Sequence, residues 1–213
     1  FGDPDNNNAT VIEFDFVPFV NEISFNYLMA SNEYTGGFPC SFDDTFAFII
    51  SGPYDVDGNL IIDDFPAGTP GVFQTENPYN FDANPNTPDE NVDLGGLNIA
   101  TLPGTNIPAS ITNIHNLTTC APDTPGEFAA AQFFDTNNPT SSAFNGQTIP
   151  LTASAQVIAG QIYKIKLAIG DSRDTAFNSA VFIEGESFSL GDIDLGDPIT
   201  LQDPDAECTG TVI

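Results

Sequence analysis

Basic residues are almost missing from this chain. Its 213 residues include only 3 Lys plus Arg against 30 Asp plus Glu, a formal net charge of -27 at pH 7. Such a surface repels the phosphates of nucleic acids and anionic lipids, so we expect neither as a partner. Clustered carboxylates instead attract hard cations that take oxygen ligands, and calcium is the cofactor that this composition favours.

Tryptophan is absent, histidine occurs only as His115, and there are three cysteines. One histidine excludes a His-rich metal site, and the cysteines show no zinc-binding spacing. In an oxidising compartment two cysteines can pair, and the expected disulfide joins Cys40 and Cys120; three free thiols are the alternative. His115 lies in a strand-like run without an obvious nucleophile nearby, so we expect a structural role for it.

Long hydrophobic runs are also absent, since no stretch of about 18 apolar residues occurs, and we expect no insertion into a membrane. The chain is nevertheless 40% hydrophobic and contains 19 phenylalanines, unlike an acidic disordered tail. At this length it can bury a sizeable core as one large β-domain. It starts at Phe1 without a signal peptide, and we interpret it as a mature or excised part of a larger multidomain protein.

Apolar and polar residues alternate along much of the chain with the two-residue period of half-buried strands. The alternating segments are 12–16, 23–29, 151–157, 163–169 and 181–183, and the segment 46–50 is apolar on both faces, as in a central strand. Their apolar residues, including Ile12 and Phe14, are expected to face the core. Only 127–134, with three alanines, has helical propensity. The pattern predicts an all-β, two-sheet antiparallel β-sandwich of jelly-roll or lectin-like type, with long acidic loops and at most one short helix.

The composition changes after Leu190, where Gly and Asp alternate with single aliphatic residues. We therefore expect one domain over residues 1–190, followed over 191–213 by a linker or the start of a further module. A final edge strand of the same domain is the alternative for the beginning of this second segment.

Candidate calcium ligands must supply carboxylate and carbonyl oxygens from turns. They fall in three loops: Glu33, Asp43 and Asp44 around a Gly-Gly turn; Asp171 and Asp174 after an alternating strand; Asp55 and Asp57 before Gly58. The third loop is not an EF-hand, because Pro66 occupies the twelfth position and no helices flank it. For any one acidic loop the simpler interpretation is a solvated turn.

Three blocks of sequence carry a resemblance to a known family. The blocks are FNYLMASNEY at 25–34 with CSFDDTFAFIISGP at 40–53, NIATLPGT at 98–105, and YKIKLAIGD at 163–171 with NSAVFIE at 178–184. Together, and in this order, they resemble the choice-of-anchor L domain over roughly residues 12–190. The chain departs from the family pattern at Asn32, where a glutamate is frequent, and at Asp43, where an asparagine is usual.

The resemblance implies an exported, extracellular domain displayed on the bacterial cell surface, with large adhesins as typical host proteins. Glu33, Asp44, Asp171 and Ser179 match the family pattern, and we therefore favour the three carboxylates as metal ligands. No single activity is implied for the family as a whole.

The expected function is a secreted, non-enzymatic, calcium-dependent adhesion module that binds a glycan or protein partner through its acidic loops. Because tryptophan is absent, Tyr34, Tyr54 and Tyr79 would have to serve as the stacking surface of a carbohydrate-binding site. The alternatives are a structural stalk module without its own ligand, and a glycoside hydrolase that uses Glu33 and Asp44. Lys164 and Lys166 are expected to pair with carboxylates on the polar face of their strand.

Overall fold

The structure, a computed structural model, describes residues 6–42, 44–73, 78–80, 91–93, 95–117, 130–136, 143–172 and 177–190. Its strands are β1 (Asn6–Phe16), β2 (Glu22–Ser31), β3 (Thr45–Tyr54), β4 (Pro78–Asn80), β5 (Asn91–Asp93), β6 (Leu97–Asn98), β7 (Gly146–Gln147), β8 (Leu151–Gln156), β9 (Ile162–Ser172) and β10 (Ser179–Ile183). Three short 3-10 turns, Phe38–Cys40, Ile62–Asp64 and Ala131–Phe133, complete the regular elements, and the described residues contain no α-helix.

Two antiparallel sheets make up the domain. The first sheet has the strand order β1-β9-β3-β6, and the second has the order β10-β2-β7, with β8 also paired to β2. A separate two-stranded ladder joins β4 and β5. The predicted all-β sandwich is confirmed. The segment 127–134, for which a short helix was predicted, contains a 3-10 turn at Ala131–Phe133.

Aromatic side chains from both sheets fill the space between them. Phe25 and Tyr27 of β2 meet Phe48 of β3 with ring centroids 4.7 and 5.1 Å apart, and Tyr27 lies 5.0 Å from Phe46. All four are almost fully buried. Each edge-to-face pair adds about 0.5–1.5 kcal/mol beyond the burial of apolar area. This cluster fixes the two sheets against each other.

Strand β3 is the central strand that its apolar run predicts. It lies between β9 and β6, and Ala47 and Ile49, which point away from the aromatic cluster, are also buried. Because both faces are covered, no polar alternation is required in this strand.

Strand β1 contradicts the expectation that its apolar residues are covered. Phe16, opposite Tyr163 on β9, is buried, but Ile12 is 61% exposed and Phe14 is 40% exposed. The reason is that β1 is the outermost strand of the first sheet, and the second sheet does not extend over its whole length. A two-residue period shows which side chains share a face, and it does not show whether another layer covers that face.

The polar face of β9 carries the pairs that the sequence predicts. Lys164 lies opposite Asp15 with a 3.1 Å Nζ to Oδ1 contact, and Lys166 lies opposite Glu13 with a 3.3 Å Nζ to Oε2 contact. Such exposed pairs contribute at most about 1 kcal/mol each.

Within the described ranges, no helix is long and apolar enough to cross a membrane.

Candidate functional site

Four polar residues lie near the ends of strands from both sheets. Asp44 directly precedes β3, Asp171 is the penultimate residue of β9, Ser179 begins β10, and Glu33 follows β2. Because β3 is antiparallel to β9 and β10 is antiparallel to β2, these positions lie at one end of the sandwich. We call this set of four residues the acidic end.

A hydrogen bond between the two sheets organises the acidic end. The Ser179 hydroxyl donates to Asp44 Oδ2 over 2.5 Å, joining the start of β10 to the start of β3. Asp44 is only 1% exposed. Hydrogen bonds to a carboxylate are shorter and stronger than those between neutral groups, so this contact ties the sheets together at their ends.

Glu33 enters the same region through the turn after β2. The Ser31 hydroxyl accepts the Glu33 backbone N–H at 2.9 Å, and Ser31 is itself the register partner of Ser179. The Asn32 N–H donates to the Asn178 carbonyl at 3.1 Å, which continues the β2 to β10 pairing into the turn. The Glu33 side chain is fully buried as a result.

The turn that carries Glu33 is held from its other side by the chain around β7. Asn145 donates its side-chain N–H to the Asn32 carbonyl at 2.7 Å. A Cβ at Gly146 would come within 2.6 Å of Tyr34 Cβ, so the close approach requires glycine there. Sequence reasoning missed Ser31 and Asn145; the Asn-Gly pair at 145–146 is a turn signal that could have indicated the second.

Burial of two carboxylates in one region has an electrostatic consequence. An ionised carboxylate removed from water costs several kcal/mol unless positive charge and hydrogen bonds compensate it. The side-chain atoms that could ligate a metal at the acidic end are all oxygens. They belong to Glu33, Asp44, Asp171 and the Ser179 hydroxyl. Oxygen-only donor sets of this kind suit calcium.

The remaining predicted ligands divide between described and undescribed residues. Asp171 is half-buried, and extending the β3–β9 register by one residue brings it beside Asp44. Asp43 and Asp174 lie outside the described residues, as does Arg173. Among the residues that the structure does describe, no group of three or more His, Cys, Asp or Glu side chains could hold a metal ion.

The third acidic loop forms a compact turn around Asp55. Its Oδ1 accepts the backbone N–H groups of Asp57 and Asn59 at 2.9 and 2.8 Å, and the Asn59 side chain donates to both carboxylate oxygens. The Asn59 side chain, with help from these backbone donors, lowers the pKa of Asp55. The Asp57 side chain is exposed and faces solvent. The loop therefore uses the Asp55 oxygens internally.

The predicted stacking tyrosines have other contacts. Tyr34 packs edge-on against Phe134 with ring centroids 4.9 Å apart, and its hydroxyl is buried. Tyr54 donates its hydroxyl hydrogen to Ser51 Oγ at 2.8 Å, and the Lys164 ammonium lies 5.2 Å from its ring centroid. The Tyr79 side chain lies outside the described residues.

His115 and Cys40 are the remaining residues that the sequence singled out. His115 is buried in a loop rather than a strand, and its Nδ1 accepts the Leu117 N–H at 3.1 Å. Cys40 is disulfide-bonded. The other two cysteines lie outside the described residues, so the pairing with Cys120 stays a prediction.

Comparison with protein families gives a match that covers most of the chain. The family described as the choice-of-anchor L domain matches residues 2–189. No curated protein and no solved structure matches the sequence.

Proposed function

The chain belongs to the choice-of-anchor L domain family, and from this premise we propose that it is an extracellular, calcium-dependent adhesion module. Family membership makes it a cell-surface-associated domain of bacterial proteins. The proposal adds a metal, calcium, and a partner, a glycan or a protein on another surface.

The observation that carries the calcium proposal is the burial of Glu33 and Asp44 at the acidic end. Both carboxylates are almost without solvent contact, and each follows or precedes a strand of a different sheet. A divalent cation there would neutralise the buried charge and cross-link the two sheets where apolar packing ends. Asp171, and from outside the described residues Asp43 and Asp174, would supply further oxygens.

The depth of these carboxylates favours a structural role for the proposed calcium ion over a role in direct partner binding. A metal held by fully buried ligands is shielded from a partner molecule, so it would stabilise the loops rather than bridge to sugar hydroxyls. The same depth disfavours the hydrolase alternative, because a general acid must reach the substrate oxygen. Partner binding would then use the exposed surfaces of the loops that the metal orders.

Thermal unfolding tests whether the folded protein binds calcium. The protein is stripped with EGTA and titrated with calcium, with magnesium at matched ionic strength as the control. We expect calcium alone to raise the melting temperature, because a ligand that binds only the folded state stabilises it by mass action. The shift should be lost in Asp44→Asn and Asp171→Asn, and kept in Asp63→Asn, whose side chain is an exposed carboxylate in another loop.

Arg173, which lies in the sequence between the candidate ligands Asp171 and Asp174, is a competing source of positive charge. If this guanidinium compensates Glu33 and Asp44, Arg173→Gln will unfold at a lower temperature and calcium will not shift the wild-type transition. That pair of results would remove calcium from the proposal and leave the surface location intact.

A second candidate function, the stalk module, is favoured by the tyrosine contacts. Tyr34 and Tyr54 are both engaged within the domain, so neither is an open platform for sugar stacking. Binding of the calcium-loaded protein to a glycan array and to immobilised surface proteins distinguishes the two. Saturable binding that the Asp44→Asn variant loses supports adhesion, and no binding in either format supports the stalk.

A further inference from the structure

The outer face of the second sheet exposes an aromatic ring. In the β2–β10 register Phe182 lies opposite Leu28, and both point away from the core, because Tyr27 and Met29 on either side of Leu28 are buried. Phe182 is 48% exposed. The Phe144 ring stands edge-on beside it, with ring centroids 6.3 Å apart. The Phe182 ring is therefore accessible on a face that the sandwich does not use for its own core.

Three polar side chains cross the sheet directly beside this ring. Asn26 is on the same face of β2 as Leu28, and its Oδ1 accepts a hydrogen bond from the Thr152 hydroxyl of β8 at 2.8 Å. Its Nδ2 donates to Glu184 Oε2 at 2.7 Å. We call Thr152, Asn26 and Glu184 the polar row. Both ends of the Asn26 amide are engaged, so its orientation is fixed, while its second N–H and the exposed Glu184 carboxylate can still bond to a ligand.

The chain after β10 holds Glu184 in place. The Glu184 N–H donates to the Asn26 carbonyl at 2.9 Å, and the Ser187 hydroxyl accepts the Asn26 N–H at 3.0 Å and donates to the Glu184 carbonyl at 2.7 Å. The chain then rejoins the start of β2, and the Leu190 carbonyl accepts the Phe19 N–H at 2.7 Å. The polar row is thus fixed by backbone pairing before any ligand arrives, which lowers the entropic cost of binding.

The charges around the polar row restrict the partner. Glu22, on the outer face of β2, and Glu186, in the turn after β10, are exposed carboxylates. Lys164 and Lys166 belong to β9 in the other sheet. The described part of the outer face therefore carries carboxylates without a basic residue. Such a surface repels sialylated or other anionic glycans and accepts a ligand without negative charge.

The small apolar area favours a sugar over a protein. Stable protein interfaces bury about 800 Å² on each partner around an apolar centre. Here the apolar part consists of Phe182 with the half-buried Leu28 and Phe144, and the polar row follows immediately. A pyranose needs one aromatic ring against its C–H face, and its hydroxyls both donate and accept hydrogen bonds. The outer face offers these two features side by side.

We propose that the outer face of the second sheet binds an uncharged glycan at Phe182 and the polar row. One sugar ring packs on Phe182, and its hydroxyls donate to the Glu184 carboxylate and accept the free Asn26 N–H. This inference rests on the adhesion function proposed above and names the class of its partner and the surface that holds it.

The proposed glycan site is connected to the acidic end through Phe144. The next residue, Asn145, donates its side-chain N–H to the Asn32 carbonyl in the turn that carries Glu33. A metal that orders this turn therefore also fixes Phe144 beside Phe182. Calcium would strengthen glycan binding in this way without touching the sugar.

Binding to immobilised uncharged oligosaccharides of glucose, galactose and mannose tests the proposal, with hyaluronan as the anionic comparison. We expect saturable binding of the calcium-loaded protein to an uncharged glycan and none to hyaluronan. Phe182→Ala should weaken this binding by about tenfold or more, because it removes the ring on which the sugar packs. The matched control, Phe19→Ala, removes a phenylalanine that is 54% exposed in the connection after β1 and should bind like the wild type.

The melting temperatures of the same variants separate this site from the metal. Phe182→Ala should keep the calcium-induced rise while losing the glycan. If Phe182→Ala binds glycan normally and Asp44→Asn does not, the outer face is the wrong surface and calcium-dependent adhesion through the loops remains. If calcium produces no rise but glycan binding depends on Phe182, the metal is wrong and the glycan site remains.

Mapping by NMR on the wild type gives a second test that needs no variant. Titration with these uncharged oligosaccharides should shift the backbone amides of Phe182, Leu28 and Asn26 and leave those of β1 and β9 unchanged. Shifts confined to other strands, or no binding to any of the uncharged glycans, would overturn the proposal. If Phe182→Ala abolishes binding to an immobilised surface protein instead, the outer face is a protein interface and the glycan assignment is wrong.

Discussion

Two acidic regions that look alike in the sequence differ completely in the folded domain. In the loop after β3, Asp55 is held by donors from within five residues, and Asp57 faces solvent. At the acidic end, Asp44 and Glu33 are buried, and the hydroxyl that binds Asp44 comes from Ser179, 135 residues away.

The difference shows that the number of carboxylates in a segment says little about what they do. A carboxylate in a local turn keeps its hydration and exchanges one set of hydrogen bonds for another at small net gain. A buried carboxylate must be compensated by groups that only the tertiary fold brings together. A function that depends on a bound cation is therefore expected at the acidic end rather than in the loop around Asp55.

Removing the buried carboxylate should have the largest effect. Asp44→Ala leaves the Ser179 hydroxyl without its acceptor and is expected to lower the free energy of unfolding by about 1.5–3 kcal/mol, the range for a hydrogen bond to a charged group. The matched control is Asp57→Ala in the exposed loop, which should change stability by less than about 0.5 kcal/mol. Urea unfolding of both variants measures the two values. Equal effects would mean that burial does not distinguish the two regions.

A buried but uncharged polar side chain sharpens the comparison. Asn98 Oδ1 accepts the backbone N–H groups of Phe48 and Ala100, both at 3.0 Å. We expect Asn98→Ala to cost about 2 kcal/mol, since two buried donors lose their acceptor. Asn59→Ala, which removes an amide from the exposed loop, should cost clearly less in the same denaturation measurement. If the order is reversed, local turn contacts outweigh buried ones in this fold.

Two buried tyrosines separate burial from hydrogen bonding. Tyr163 donates to the Gly71 carbonyl at 2.7 Å and accepts the Ile158 N–H at 2.9 Å, whereas no described residue bonds to the Tyr27 hydroxyl. Tyr163→Phe should therefore lose about 1 kcal/mol of stability, and Tyr27→Phe should gain up to about 1 kcal/mol. Melting temperatures of the two variants should move in opposite directions. Shifts of the same sign would contradict this account.

The smallest expected effect is the pH dependence of the exposed loop. The Asn59 side chain holds the pKa of Asp55 below its ordinary value of 3.8. Because the pKa is lower in the folded state, the contribution to stability is present above the unfolded pKa and is lost as the pH falls through the folded value. An NMR titration should show the low pKa in the wild type and a return toward the ordinary value in Asn59→Ala. An unchanged pKa in that variant would show that the backbone donors alone account for the shift.

Much of the fold follows from local patterns in the sequence. The alternation at 23–29, 151–157 and 163–169 identifies β2, β8 and β9, and the doubly apolar run at 46–50 identifies the central β3. These predictions succeed because each strand carries its own signal. The exposure of Ile12 and Phe14 could not be predicted, since it depends on how far the second sheet reaches over β1.

The candidate site was harder to predict than the strands. The residues Glu33 and Asp44 stood out only through the sequence blocks shared with the family, because the chain has 30 acidic residues and local spacing favoured the Asp55 loop equally. Ser31 gives no local signal at all, since its role depends on a turn that pairing with β10 positions. Long-range contacts determine the site, and a single sequence does not record them.

The placement of the two described chain ends has a mechanical consequence. Asn6 pairs with Ser172 at the acidic end, whereas Leu190 is bonded to Phe19 at the opposite end of the sandwich. Tension between these two points pulls β1 along its own axis past β9. The hydrogen bonds of that ladder are then loaded in shear, all together, instead of being unzipped one after another. A domain connected in this way stays short and stiff under load until β1 slides as a whole.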